Sequence, residues 1–155
     1  MASRVDERKG TQFLNVDLDV FSGLPLDALA TALGDQVFVL YVGKWGRLHS
    51  AHFELAGYTR NPHADRLIGR FVQLIRRLPR QARRLWDTAE IREFNIGIEA
   101  AQKAPAFELR LQPETLAAVA SIRGRIVVTV YPPDRVTQSS RRASGQARAP
   151  RRKNQ

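Results

Sequence analysis

The sequence predicts a single α+β domain in which an antiparallel sheet carries its helices on one face. Three patterns support this: apolar and polar residues alternate over 14–20, apolar residues recur at helical spacing over 67–78, and a β-branched run occupies 126–130. The predicted elements follow the order β-α-β-β-α-β and then β-α-β. The first six match a ferredoxin-like βαββαβ core, and the last three extend it.

The first strand predicts the two faces of the sheet, because successive side chains of a strand point to opposite sides. The apolar side carries Leu14, Val16, Leu18 and Val20, and the polar side carries Asn15, Asp17 and Asp19. A short helix should follow, with Pro25 in its first turn and Gly34 as its end. The apolar run at 37–42 predicts a well-buried second strand, and residues 43–46 a turn. Residues 48–55 then return as a hairpin.

The next helix is expected to begin at Asn61 and Pro62, residues typical of a helix start. Pro79 cannot continue a helix without the loss of a backbone hydrogen bond, so we expect a restart there and a short helix through Trp86. Trp86 should fill the core where this helix meets the next strand. The remaining predicted elements are strands at 93–99 and 106–111, a helix that opens at 113–115 and ends at Gly124, and a strand at 125–131.

The chain divides into a flexible N-terminus at 1–12, the single domain at 13–133 and a disordered basic tail at 134–155. The tail holds seven of the 25 basic residues and one of the 15 acidic ones, and so contributes +6 of the net charge of +10. The domain itself is therefore only mildly basic. The isoelectric point of about 11.1 is a weak indicator of nucleic-acid binding for the same reason.

Composition also predicts where the protein works. Cysteine is absent, which excludes disulfides, thiolate metal sites and cysteine nucleophiles and fits a reducing cytoplasm. The sequence has no apolar run of about 18 residues, and its polar N-terminus lacks the apolar core of a secretory signal. We therefore expect a cytoplasmic protein that does not enter a membrane.

Three segments together resemble a family of small, uncharacterised bacterial proteins. They are Leu-Asn-x-Asp-Leu-Asp at 14–19, Trp86 with Arg-Glu-Phe-Asn-Ile-Gly at 92–97, and Thr-x-Tyr-Pro-Pro at 129–133. In that family the glycine is usually followed by an aromatic residue and an aspartate, where this chain has Ile98 and Glu99. More loosely, the layout resembles α+β domains of toxin–immunity systems. The resemblance implies an immunity-like association and no particular chemistry.

Candidate binding residues lie on the predicted polar face of the sheet. Asp17 and Asp19 are two apart on a strand, so both carboxylates leave the same side. If Phe94 and Ile96 point to the helices, the set becomes Asn15, Asp17, Asp19, Asn95 and Glu99. Clustered oxygens are typical of hard-cation sites and acid/base pairs, so one hypothesis is a metal-dependent enzyme that uses Asp17, Asp19 and Glu99. The other interpretation is a solvated polar face.

Known catalytic signatures are missing from the sequence. His49 and His52 are three apart on a strand and point to opposite faces, so only His52 and Glu54 share a side. The sequence has neither a nucleophile elbow nor a glycine-rich phosphate loop. We therefore assign no catalytic residue, metal or cofactor, and leave open whether the protein is an enzyme.

Arginines follow helical spacing opposite the apolar stripe of 67–78 and its continuation. The candidate anion-binding residues are Arg66, Arg70, Arg77, Arg80 and Arg84, and Arg76 and Arg83 widen this arginine band. It could bind phosphates or an acidic protein surface. It could equally be the solvated face that any amphipathic helix needs.

These observations favour a non-catalytic interaction module with a protein partner. The alternative is a nucleic-acid-binding protein that uses the arginine band and the basic tail. A further hypothesis needs no outside partner: the basic tail folds back onto the acidic sheet face by charge. The oligomeric state is not predicted.

Overall fold

Five strands and four α-helices make up the part of the chain that the computed structural model describes, which is residues 10–57, 63–102 and 105–133. No helix in these ranges is long and apolar enough to cross a membrane. The predicted basic tail, most of the predicted flexible N-terminus and the predicted helix start at Asn61 and Pro62 lie outside the described residues.

The elements follow the predicted order up to the fourth strand. They are β1 Gln12–Ser22, α1 Asp27–Leu33, β2 Val37–Trp45, β3 Leu48–Leu55, α2 Ala64–Arg76, α3 Arg80–Thr88, β4 Ile91–Glu99, α4 Pro113–Ser121 and β5 Arg125–Tyr131. A short 3-10 helix, Gly34–Gln36, connects α1 to β2. The break between α2 and α3 lies at Pro79, as the sequence predicts, because proline has no amide to donate inside a helix.

The strands form one sheet in the order β2-β3-β1-β4-β5. β3 is antiparallel to both β1 and β2, so β1 and β2 run in the same direction with β3 between them. This is the split βαβ arrangement of the predicted ferredoxin-like core. β5 departs from the predicted antiparallel sheet, because it lies parallel to β4. The chain between them includes α4 and is long enough for the crossover that parallel strands require.

The predicted strand at 106–111 is wrong. The described residues 105–112 form neither helix nor strand. The position beside β4 that this segment could have taken is occupied by β5. Its leucines, Leu109 and Leu111, instead pack against the core, and the amide of Gln112 donates to Asp65 Oδ1 at 2.8 Å.

The predicted burial of the second strand is also wrong. β2 lies at the edge of the sheet and most of its residues are exposed, although its sequence is almost entirely apolar. An apolar run identifies a strand but does not fix its place in the sheet. The turn after β2 is shorter than predicted, because β2 continues through Trp45 and only Gly46 and Arg47 turn the chain. Gly46 adopts a φ of 60°, which suits glycine in a two-residue hairpin.

The core lies between the sheet and the helices. Val16, Leu18 and Val20 of β1 are buried there with Phe94 and Ile96 of β4, as the alternation predicts. Leu14 is an exception and is exposed. The β1–β4 register shifts between Phe13 and Asn15, so Phe13 packs against the core in place of Leu14.

Trp86 occupies the predicted corner between α3 and β4. Its side chain is fully buried, and its Nε1 donates to the carbonyl of Ile122 at 2.9 Å. Arg92 donates to the carbonyls of Trp86 and Ala89 at 2.8 and 2.7 Å, and so contributes hydrogen bonds to carbonyls at the end of α3. Burial and the neighbouring Arg123 lower the pKa of Arg92.

Candidate functional site

The sheet face opposite the helices carries the polar side chains; we call it the open face. Asp17 lies opposite Glu54 of β3 and Asn95 of β4. Asp19 lies opposite His52 of β3 and Glu93 of β4. Directly opposite residues of antiparallel strands have Cβ atoms about 5 Å apart, so these groups interact. The register thus concentrates acidic side chains at the centre of the sheet.

Asp17, Asp19 and Glu54 form the group that we call the carboxylate cluster. Desolvation and the negative charges of Asp19 and Glu54 raise the pKa of Asp17 from 3.8 to about 6, and His52 opposes this shift. Asn15 Nδ2 donates to Asp17 Oδ1 at 3.0 Å. The cluster therefore stores electrostatic repulsion that a bound cationic group would relieve.

Asp19 is held by a histidine within an aromatic group. His52 Nδ1 lies 2.7 Å from Asp19 Oδ1. The imidazole ring contacts Phe21 edge-on at a centroid distance of 5.5 Å and Tyr41 at 5.9 Å. Tyr41 in turn donates to the carbonyl of Lys44 at 2.8 Å. These rings lie beside the carboxylate cluster and restrict its histidine.

Gly43 makes room for this aromatic group. A Cβ at Gly43 would lie 2.8 Å from the Tyr41 hydroxyl, so the ring depends on the missing side chain. Ser50 of β3 lies opposite Gly43 of β2 and opposite Phe21 of β1. Its hydroxyl is buried and has no hydrogen-bond partner among the described residues, so the structure does not extend Asp19 and His52 into a Ser-His-Asp triad there.

The other polar residues of the open face are paired with close neighbours. Asn95 Oδ1 accepts from Thr129 Oγ1 at 2.7 Å. Glu93 forms an ion pair with Arg125. Gln12 Nε2 donates to Glu99, at the end of β4 far from the cluster. Because Glu99 is four residues beyond Asn95, it lies about 13 Å along the strand from the position opposite Asp17.

The structure therefore places all five sheet-face candidates on one face and brings only some of them together. Asn15, Asp17 and Asp19 adjoin one another, and Asn95 lies beside Asp17 on the next strand. Glu99 is separate, so the combination proposed for a metal-dependent enzyme does not converge. Within the described ranges, no three His, Asp or Glu side chains are placed to hold a metal ion.

The arginine band is divided between two helices and does not form one continuous face. Arg66, Arg70 and Arg76 lie on α2, Arg77 follows its end, and Arg80, Arg83 and Arg84 lie on α3. Arg70 donates to Gln36 Oε1 at 2.6 Å, on one side of α2. Arg76 donates to Ser121 Oγ of α4 at 3.0 Å, on the other side. Part of the arginine band therefore connects α2 to the 3-10 helix and to α4.

The first turns of α3 carry two exposed arginines of the band. Arg80 and Arg84 are exposed and line an open hollow together with Gln81. Neither arginine forms an ion pair with any residue that the structure describes. An anionic group could bind at this hollow.

Sequence reasoning did not include His52, Glu54, Glu93 and the aromatic group in the sheet-face set. The alternation of 48–55 put His52 and Glu54 on one side of a strand, but nothing in the sequence paired that side with Asp17 and Asp19. Only the register between β1 and β3 provides that information.

No family model, no curated protein and no solved structure matches the chain. The resemblance to small bacterial proteins therefore stays a prediction, and the function has to be inferred from the site itself.

Proposed function

We propose that the protein is a non-catalytic interaction module whose open face binds a basic segment of a protein partner. The observation that carries the proposal is the carboxylate cluster, in which burial and like charge raise the pKa of Asp17 to about 6. A guanidinium or ammonium group placed over the cluster would stabilise all three ionised carboxylates at once. A phosphate would be repelled, so nucleic acid is an unsuitable ligand for this face.

The aromatic side chains beside the cluster favour an arginine-containing segment. Phe38 is exposed and lies opposite Glu54, while Tyr41 and Phe21 flank His52. Arginine combines a bidentate match to carboxylates with stacking on aromatic faces. An acidic centre with an aromatic border therefore suits arginine better than lysine.

The proposal includes a cytoplasmic location, which the absence of cysteine favours. An immunity-like role, with a toxin as the partner, is the specific form that the sequence resemblance favours. The chain's own basic tail is a competing ligand for the same face, because seven of its residues are basic.

A short synthetic polyarginine peptide tests the site in the full-length protein. We expect the peptide to shift the backbone NMR signals of β1 and β3 around Asp17, Asp19 and Glu54. The triple variant Asp17→Asn/Asp19→Asn/Glu54→Gln should weaken binding at least about tenfold, since each charge-assisted contact contributes roughly 1 kcal/mol or more. Polylysine of equal length should bind more weakly than polyarginine.

The matched control removes the same amount of charge from the helix side. Asp27→Asn/Asp35→Asn/Glu114→Gln changes three exposed or helix-start carboxylates outside the open face. Equal loss of binding in both triple variants would show a nonspecific charge effect and contradict the proposal. If binding appears only after the tail arginines Arg141 and Arg142 are replaced by glutamine, the tail is the resident ligand.

The second candidate function is nucleic-acid binding through the arginine band and the tail. The specific observation in its favour is the hollow at Arg80, Gln81 and Arg84, with its two arginines outside any ion pair in the described ranges. A labelled single-stranded RNA and a duplex DNA should then bind with an affinity that falls steeply as salt increases.

The variant Arg80→Gln/Arg84→Gln tests this candidate. It should weaken binding and reduce the salt slope by about 2, one for each lost phosphate contact. Arg47→Gln/Arg110→Gln removes the same charge from other exposed positions and should leave most of the affinity intact. Affinity that depends on the tail alone would exclude the hollow.

A further inference from the structure

We propose that β2 is a self-association surface, where two copies pair their β2 strands antiparallel and join their sheets. β2 has β3 on one side and no strand of the described chain on the other. Alternate residues of such an edge strand direct unpaired backbone amides and carbonyls outward, which is a template for another strand. This inference does not depend on the proposed function, although Phe38 and Tyr41 lie at the border between β2 and the carboxylate cluster.

β2 exposes five large apolar side chains. The exposed fractions are 59% for Phe38, 49% for Val39, 52% for Leu40, 42% for Tyr41 and 63% for Trp45. Aromatic side chains present about 150–250 Å² each and aliphatic ones less, so the five residues expose roughly 500 Å² per copy. Two copies that covered these side chains completely would bury roughly 1,000 Å², which is the lower limit for a specific interface.

The features that keep an edge strand monomeric are sparse in β2. The strand is nine residues long and contains no proline, and its single charged residue, Lys44, lies next to its end. Its one irregularity is the register shift with β3 between Val39 and Tyr41. β5, at the other edge, is shorter, begins with Arg125 and is followed by Pro132 and Pro133.

A second copy is the occupant that fits this edge best, because a two-fold axis lets the same apolar strip cover itself. Like-with-like pairing of β2 gives a closed dimer, whereas β2 against β5 would give an open-ended chain. Phe38 and Tyr41 both face the open side of the sheet, opposite Glu54 and His52. A register that places Phe38 of one copy beside Tyr41 of the other therefore keeps equivalent faces together.

The two tryptophans provide a direct readout in the full-length protein. Trp45 is exposed on the proposed interface and Trp86 is fully buried in the core. Light scattering and sedimentation should give twice the monomer mass at high concentration. The emission should shift to shorter wavelength over the same concentration range, and Trp45→Phe should abolish that shift because Trp86 alone remains.

Charge at the two sheet edges provides the matched comparison. Leu40→Lys should weaken dimerisation about 100-fold, because the two-fold axis doubles both the lost apolar burial and the added charge. Val130→Lys places the same charge at an equally exposed position of β5 and should leave the dimer intact. Circular dichroism establishes that each variant is folded, and Phe38→Lys replaces Leu40→Lys if that one is not.

Several outcomes would overturn the proposal. They are a monomer mass for the wild type at every concentration, loss of the dimer with Val130→Lys but not with Leu40→Lys, or growth into larger assemblies instead of a dimer. A dimer whose tryptophan emission does not depend on concentration would also place the interface away from β2.

Discussion

The two faces of the sheet are built from the same strands and follow opposite rules. On the helix side, Val16, Leu18 and Val20 of β1 are fully buried among apolar neighbours. On the open face, Asp17 and Asp19 of the same strand adjoin Glu54 in an arrangement that raises the pKa of Asp17. The helix side stabilises the fold by apolar burial. The open face holds carboxylates whose mutual repulsion does not stabilise it.

This contrast indicates that the residues important for stability and the residues important for binding lie on different faces of the sheet. Substitutions on the helix side should act mainly on folding, while those on the open face should act mainly on binding and change the stability of the fold less.

The first prediction compares two glycines on opposite sides of the sheet. A Cβ at Gly124 would lie 2.6 Å from Phe94 Cε2 in the core, whereas a Cβ at Gly97 on the open face would have its nearest neighbours at 3.6 Å. Gly124→Ala should therefore destabilise the protein by about 2–3 kcal/mol, and Gly97→Ala by less than about 0.5 kcal/mol. Urea unfolding measures both, and similar losses would contradict the contrast between the faces.

The second prediction concerns the pH dependence that Asp17 imposes. Its pKa of about 6 in the folded protein exceeds the ordinary 3.8, so the stabilising effect of its protonation is present below about pH 4 and is lost as pH rises through 6. Asp17→Asn should stabilise the protein at pH 8 by about 1–2 kcal/mol, allowing for solvent screening, and should change little at pH 4.

Urea midpoints of Asp17→Asn at the two pH values make the measurement, and Asp35→Asn on the exposed 3-10 helix is the control. The control should show no comparable gain at pH 8. A destabilised Asp17→Asn protein at pH 8 would mean that the ionised carboxylate supports the fold.

The third prediction compares the coupling energies of two charged pairs that differ in burial. Asp19 and His52 are partly buried on the open face, whereas Arg83 and Asp87 form an exposed pair one turn apart on α3. Double-mutant cycles with alanine should give a coupling of about 1 kcal/mol for the first pair and about 0.3–0.5 kcal/mol for the second. Equal couplings would mean that the open face is as solvated as the helix surface.

Local sequence patterns identified most of the elements and several individual roles. The alternation of β1 separated Leu18 from Asp17, Pro79 divided α2 from α3, and the size of Trp86 indicated core burial. Local patterns gave wrong predictions where one pattern is compatible with more than one structure. The run at 37–42 fits a central strand or an apolar edge, and residues 106–111 fit a strand or an irregular segment that packs two leucines.

The candidate site divides in the same way. Composition and alternation predicted that Asn15, Asp17 and Asp19 share a face, because neighbours two apart on a strand always do. They could not reveal that Glu54 and His52 lie beside this set or that Glu99 lies far from Asp17, because both facts depend on the register of separate strands.

Local sequence patterns were sufficient to predict the α+β class, the two faces of β1 and the break at Pro79, since each depends on interactions between residues close along the chain. Three features required the three-dimensional structure: the parallel fifth strand, the exposed edge of β2 and the carboxylate cluster. These features depend on which strands become neighbours. The packing of the whole domain determines which strands become neighbours, so a local sequence pattern does not predict it.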